Sequence, residues 1–231
     1  MRSMGGAEPG AKRPMNWAVL AENWRLLLSG LLVTLEVSAT ALLLAFALGT
    51  LIASIRVAPN RVLQAIGGAY VEFIRNVPLL VQIFFFYFGL PSVGIKLSAF
   101  ACGVLGLGIY TAAFIAEAIR SGILSIPRGQ LEAATASGMR YPMAMRLVIL
   151  PQAFRAVIPP LGNQTINLIK NSSLVSAIAV YDILHAADSI GSQTFAYTTA
   201  YLGAALLYLC LTLPSALGVN LLERRLSPAR R

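Results

Sequence analysis

Charge is scarce in this chain. Only 12% of its 231 residues are Asp, Glu, Lys or Arg, against roughly 25% in soluble globular domains. That is too little to coat a soluble surface, and it excludes a disordered chain, a coiled coil and an ordinary cytosolic enzyme. Cysteine is as sparse. Cys102 and Cys210 each sit inside an apolar run with no CxxC or Cys/His spacing, so the sequence predicts neither a metal site nor a disulfide framework and no cofactor. There is one histidine, His185, three residues after Asp182 and three before Asp188. A metal site needs three or four close ligands at recognised spacings, so we expect instead a capped, hydrogen-bonded short helix. The three lysines, Lys12, Lys96 and Lys170, follow Ala11, Ile95 and Ile169. No Gly-Lys pair exists, which rules out the G-x-x-x-x-G-K-[ST] phosphate loop.

What is present is apolar. Hydrophobic residues make up 57% of the chain and mean hydropathy is +0.73, the signature of a polytopic helical membrane protein. Runs near the roughly 20 residues needed to cross a bilayer occur at 26–55, 79–90, 97–119, 146–170 and 197–222. The first is about twice as long as a signal-peptide core of about 7–15 residues, so we read it as an uncleaved span. The second is preceded by a mixed segment, 61–77, which continues it at an angle, with a kink expected at Pro78. The third is rich in Gly103, Gly106, Gly108, Ala112 and Ala113. Small residues let helices pack closely in lipid, so a bundle is expected. The fourth is read as broken by Pro151, Pro159 and Pro160. The stretch 174–187 is too short and polar to span and reads as a short buried helix.

The chain is thus expected to be all-α and integral to the membrane. About five transmembrane helices are expected, with a cytoplasmic surface helix and a short outer helix. The formal charge is +9, and the basic residues lie between apolar runs, which fits membrane orientation and not nucleic-acid binding. Twelve of the 18 Lys and Arg residues fall on one side and six on the other. The richer side is cytoplasmic by the positive-inside rule, which puts the N-terminus outside and the C-terminus inside. The expected organisation is an extracytoplasmic tail at 1–25, a transmembrane body at 26–225 and a cytoplasmic tail at 226–231.

The most informative connection is 121–146. Pro127 suits a helix start, with Ser125 or a neighbour as cap. Glu132-Ala133-Ala134-Thr135-Ala136-Ser137 continues the helix, and Gly138 ends it. Pro142 opens a second helix leading back to the membrane. A short alanine-faced surface helix suits insertion into a groove of another protein, or is a plain linker.

Polar residues at membrane depth are costly and usually face a cavity or a partner. Glu72, Arg75 and Asn76 share one helix face. Glu72 and Arg75 either pair with each other or line a path, with the Arg75 guanidinium suited to a carboxylate. Asn163, Asn167 and Lys170 form a second stripe that lines a path or hydrogen-bonds between helices. Glu117 is expected to meet Arg120 or an arginine of the connecting loop, and Glu36 a basic residue on a neighbouring helix.

Glu132-Ala133-Ala134, Gly138 four residues after Ala134, and Leu150-Pro151 twelve further on resemble the EAA signature of bacterial binding-protein-dependent ABC importer permeases. The flanks are similar to the polar amino-acid branch, of the histidine/glutamine type. They are Tyr70-Val71-Glu72-Phe73-Ile74-Arg75-Asn76-Val77-Pro78-Leu79-Leu80-Val81-Gln82, Ala116-Glu117-Ala118-Ile119-Arg120-Ser121-Gly122-Ile123, Gly129-Gln130, Leu150-Pro151-Gln152-Ala153-Phe154-Arg155, and Lys170-Asn171-Ser172-Ser173-Leu174-Val175-Ser176. One departure is Arg75-Asn76, where Gly more often follows Arg. The resemblance runs over about 27–225, and the first 25 residues match nothing recognised.

The resemblance implies the type I ABC importer permease fold in a bacterial inner membrane. It implies a second permease chain, identical or different, a dimer of ATPase subunits and an extracytoplasmic amino-acid-binding protein. ATPase coupling would fall to Gly129, Gln130, Glu132, Ala133, Ala134 and Gly138. The path would include Glu72, Arg75, Asn163 and Asn167, and a polar amino acid would be carried by alternating access. The chain itself would not be an enzyme. The rival is a stand-alone ion-coupled amino-acid carrier, which the lack of a detectable inverted repeat and the single cytoplasmic helix-turn-helix disfavour.

Overall fold

The computed structural model describes residues 17–226. The expectations for residues 1–16 and 227–231, including Arg2, Lys12, Arg13, Arg230 and Arg231, lie outside the described residues. A short helix α1 (Ala18–Glu22) leads into α2 (Trp24–Val57), which starts two residues before the expected span. Helix α3 (Arg61–Asn76) follows, capped by the Asn60 carboxamide, which accepts from the amides of Val62 at 2.9 Å and Leu63 at 3.2 Å. Then come α4 (Leu79–Phe84) and α5 (Ala99–Leu124), joined through a π-helical turn at Phe85–Gly89 and a 3-10 turn at Leu90–Val93. The connection after α5 holds α6 (Arg128–Ala136) and α7 (Tyr141–Ala144). A π-helical turn at Met145–Ile149 leads into α8 (Leu150–Asn171), and a 3-10 segment at Ser172–Ile178 follows. Helices α9 (Ile183–Thr194) and α10 (Tyr197–Leu226) complete the described chain.

Four helical stretches are long and apolar enough to cross a membrane: Trp24–Val57, Ala99–Leu124, Tyr141–Ile178 and Tyr197–Arg225. The bent pair Arg61–Asn76 and Leu79–Val93 makes five if it forms one span. The bend is 101°, sharper than a proline kink alone. Pro78 removes an amide, and the Gln82 side chain covers the opened turn. Its Nε2 donates to the carbonyls of Ile74 at 2.9 Å and Val77 at 3.0 Å.

At the centre, α5 packs along α2, with α8 on another side. The expected small-residue packing is present. A Cβ on Gly49 would lie 2.9 Å from the Ala112 carbonyl oxygen and 2.7 Å from Ile115, so only glycine allows this approach. The core joins Val37, Ala41 and Ala45 of α2, Ile83 of α4, Leu107 and Ile115 of α5, and Leu168 of α8. Helix α3 docks on the same pair through Val71 and Ile74, packed with Ile52, Ala113 and Ala116. Its Tyr70 hydroxyl donates to the Ile109 carbonyl at 2.9 Å.

Two expectations about this architecture are corrected. Pro159 and Pro160 do not break the fourth span, since both lie inside continuous α8. Proline is tolerated within a membrane helix where neighbours and local adjustment satisfy the freed carbonyls. Ser125 does not cap α6, because its hydroxyl donates to the Gly122 carbonyl at 2.7 Å and α6 starts behind Pro127 with no side-chain cap.

The short helix expected near 174–187 is α9, fixed at its start by Asp182, which is fully buried. Asp182 accepts from the His185 amide at 2.9 Å and from the Tyr208 hydroxyl of α10 at 3.0 Å. The neighbouring Ile183 amide donates to Thr34 of α2 at 3.1 Å. Asp188 accepts from Tyr201 at 2.9 Å. The expected capped, hydrogen-bonded helix is therefore what the His/Asp trio builds.

Candidate functional site

The residues expected to couple and those expected to line a path are built by different helices. In α6 the chain closes with a Gly138-centred C-terminal turn. Gly138 has φ +85°, its amide donates to the Thr135 carbonyl at 2.9 Å, and the Met139 amide donates to Ala134 at 3.1 Å. This pair of bonds is the Schellman ending that a left-handed glycine permits. Gly129, Gln130, Glu132, Ala133 and Gly138 are exposed. Ala134 is not. It is 6% exposed and packs into the chain itself, so it fixes how α6 sits against the π-helical turn behind it. The expected recognition face is thereby reduced to the other positions.

Behind α6 lies a cavity of about 560 Å³. Arg56, Gln64, Arg120, Arg128, Glu132 and Tyr141 are among its lining residues. A second cavity of about 510 Å³ is lined by Arg56, Glu72, Arg75, Asn76, Phe114 and Glu117, with Gly68 and Val71. Because Val71 and Ile74 face the core, the exposed face of α3 presents Glu72, Arg75 and Asn76.

Glu72 and Arg75 do not pair. The Arg75 guanidinium lies over the Phe114 ring at 5.0 Å, a cation–π placement, and Phe114 packs on Tyr110 at 4.9 Å. The Asn76 amide donates to the Glu72 backbone carbonyl at 2.7 Å. The pairing failed as an expectation because the ring across on α5, invisible to local spacing, claims the guanidinium.

Glu117 meets Arg120 as expected, at 2.6 Å, and also Arg56 at the end of α2. The Ser121 hydroxyl donates to Glu117 at 3.2 Å. The Arg56 partnership crosses 61 positions of sequence, and no local signal could have disclosed it. Among the described residues Glu36 forms no ion pair. It is exposed, and its backbone carbonyl accepts from Thr40 at 2.7 Å.

Asn163 and Asn167 stand apart from the cavity of Glu72 and Arg75. They form an exposed stripe with Lys170 on α8. Among the described residues no group of three or more His, Cys, Asp or Glu is placed to hold a metal ion.

A helical body with membrane-length apolar helices, a charged cavity and an exposed helix-turn on one face suits the membrane subunit of a transporter. The family described as binding-protein-dependent transport system inner membrane component matches residues 16–228, and the chain belongs to it. The chain is 50% identical over 212 residues to the Bacillus subtilis (strain 168) protein named "Probable glutamine ABC transporter permease protein GlnM", covering 92% of this chain and 98% of that one. It is 35% identical over 210 residues to the glutamate/aspartate import permease protein GltJ of Escherichia coli (strain K12), covering 85% of each. A solved structure described as an amino acid ABC transporter with histidines superposes with TM-score 0.88 at 37% identity, over 92% of this chain and 100% of that one. An inward-facing MetNI methionine ABC transporter superposes with TM-score 0.71 at 20% identity, over 89% and 98%, a likeness of fold. The chain is thus a multi-pass membrane subunit of an ABC importer, with the type I importer permease fold and not that of a stand-alone carrier.

Proposed function

We propose that the chain is a permease for a polar amino acid, one of two permease chains enclosing the path, with its N-terminus outside and its C-terminus in the cytoplasm. An extracytoplasmic binding protein delivers the amino acid. Two ATPase subunits engage the α6 face formed by Gly129, Gln130, Glu132, Ala133 and Gly138, with Ala134 holding that face in place. The relatives' names support the substrate class. The exposure of these residues on a rigidly terminated helix supports the coupling role.

The observation that carries the path assignment is the cavity where Glu72 and Arg75 stand side by side without pairing. An unpaired carboxylate and an unpaired guanidinium match the ammonium and carboxylate of an amino-acid zwitterion. Asn163 and Asn167 offer further donors and acceptors along α8, where a second permease chain would enclose them. In this reading 1–25 is the outer tail, 26–225 the permease body with its coupling segment at 121–146, and 226–231 the inner tail.

The test is reconstitution in proteoliposomes with the ATPase and the binding protein. ATP-driven uptake of amino acids, competed by a panel of basic, acidic and neutral ones, is the expected result. Uptake that proceeds without ATP would sink it. Arg75→Gln should raise the half-saturating concentration of the delivered amino acid about tenfold or more while the ATPase stays bound. An unchanged dependence would remove Arg75 from the path.

A further inference from the structure

Arg56 lines both cavities, the one bounded by Glu72 and Arg75 and the one behind α6. Glu117 lines the first and Arg120 the second. The ion cluster that joins these three side chains is therefore the wall between the two spaces. It is also largely withdrawn from solvent, with side-chain exposures of 14% for Arg56, 25% for Glu117 and 30% for Arg120.

The cluster is asymmetric. Arg120 grips Glu117 with two nitrogens, Nη2 on Oε1 at 2.6 Å and Nε on Oε2 at 3.3 Å, and lies on the same helix three residues away. Arg56 reaches from α2 and holds Oε2 alone, an oxygen it shares with Arg120. One carboxylate thus faces two guanidinium groups, and the contact between α2 and α5 is the less heavily bonded of the two. Arg120 moves with Glu117 in any shift of α5, whereas Arg56 does not.

We propose that the Arg56–Glu117 pair is the inner latch of the translocation path, separating the intramembrane cavity from the cytoplasmic one and opening once in each transport cycle. This deepens the amino-acid import reading and rests on it. A zwitterion suits such a latch chemically. Its carboxylate takes Arg56 as its ammonium takes Glu117, so both charges stay partnered while the direct contact parts. A solute with one charge leaves one member of the pair unpaired in a poorly solvated site, which is costly. The pair thereby acts as a positioning element for the two helices and as a discriminator in favour of zwitterions.

The test uses the full permease assembled with its ATPase in proteoliposomes, without ATP, and follows downhill efflux of labelled L-glutamine. Arg56→Gln and Glu117→Gln should each raise efflux at least tenfold over the wild type, whereas Arg56→Lys, which keeps the charge, should stay within about threefold of it. Wild-type tightness in both glutamine variants would overturn the latch. If those variants do not assemble, Arg56→Cys with Glu117→Cys is made in a background lacking Cys102 and Cys210. Bridging the pair with a reversible bis-methanethiosulfonate should stop ATP-driven uptake, and reductant should restore it. Uptake that continues through a bridged pair also overturns the proposal. Failure of the wild-type assembly to import any amino acid with ATP would instead remove the import reading, whereas an active and tight Arg56→Gln transporter removes only the latch.

Discussion

Gly138→Val should reduce ATP-driven uptake at least tenfold, with Gly138→Ala intermediate and Gly138→Asn closest to the native chain. The ranking follows from backbone conformation alone. Gly138 has φ +85°, and an added Cβ would meet nothing within 4 Å, so packing contributes no penalty. What remains is the cost of left-handed backbone, about 1–2 kcal/mol for an ordinary L-residue, larger for a β-branched one and smaller for Asn, which tolerates this region. That strain is relieved by opening the turn, which releases the Thr135 and Ala134 carbonyls and reorients α6 against α7. The permease body should still assemble, because none of its core residues is involved.

Glu132→Lys reaches the same loss by another route. Glu132 is exposed, though it lines the cavity with Arg56, Arg120 and Arg128, so assembly of the variant is checked alongside its effect on docking. The measurements are uptake in proteoliposomes and retention of the ATPase on the immobilised permease. Full uptake by Gly138→Val would take this turn out of the coupling path. Gly129→Ala is the internal control. Gly129 sits in α6 with open space around it, and the change should be neutral or slightly stabilising, by up to about 1 kcal/mol.

Asp182→Ala should cost about 2–4 kcal/mol, adding the loss of a helix cap to that of a buried hydrogen-bond partner. In a chain of this size that is a fall of roughly 5–15 °C in the melting temperature of the purified protein. The side chain is fully buried, and its removal strands the His185 amide and the Tyr208 hydroxyl together. A drop below about 2 °C would show that the contacts among α2, α9 and α10 survive without it.

The same residue predicts a pH signature. Burial pushes the Asp182 carboxyl above its usual range, against the opposing pull of the His185 amide and the Tyr208 hydroxyl. The folded chain then takes up this proton before the unfolded chain does. The contribution is fully present in acid, below the ordinary carboxylate range, and is lost as pH rises through the raised value. The melting temperature of the native chain, relative to Asp182→Asn, should therefore rise as pH is lowered from neutrality into the ordinary carboxylate range. A difference that stays flat over that whole range would place the carboxyl at its ordinary value.

The spans were legible because membrane insertion is a one-dimensional property. Hydropathy along 26–55 or 97–119 marks a helix whatever its neighbours are. Helix α6 and its closing turn were legible too, since Pro127, the alanine run and Gly138 are local signals for one helix and its end. What escaped was set by partners distant in sequence. Arg75 is held by Phe114, and Arg56 by Glu117, so the local pairing of Glu72 with Arg75 was the wrong expectation. Pro159 and Pro160 misled for a related reason, because surroundings decide whether a proline interrupts a helix. Ala134 could not be separated from Ala133 by sequence, since a nine-residue helix with alanines on several sides leaves its buried face undefined.

The elbow at Pro78 carries a mechanical implication. A sharp bend with loose carbonyls would be a natural place for the backbone to flex, but here the Gln82 amide clasps Ile74 and Val77 across it. Those two bonds tie the end of α3 to the start of α4. Opening the elbow would have to break both, so the joint that looks, from its angle, most ready to give is the one that is braced.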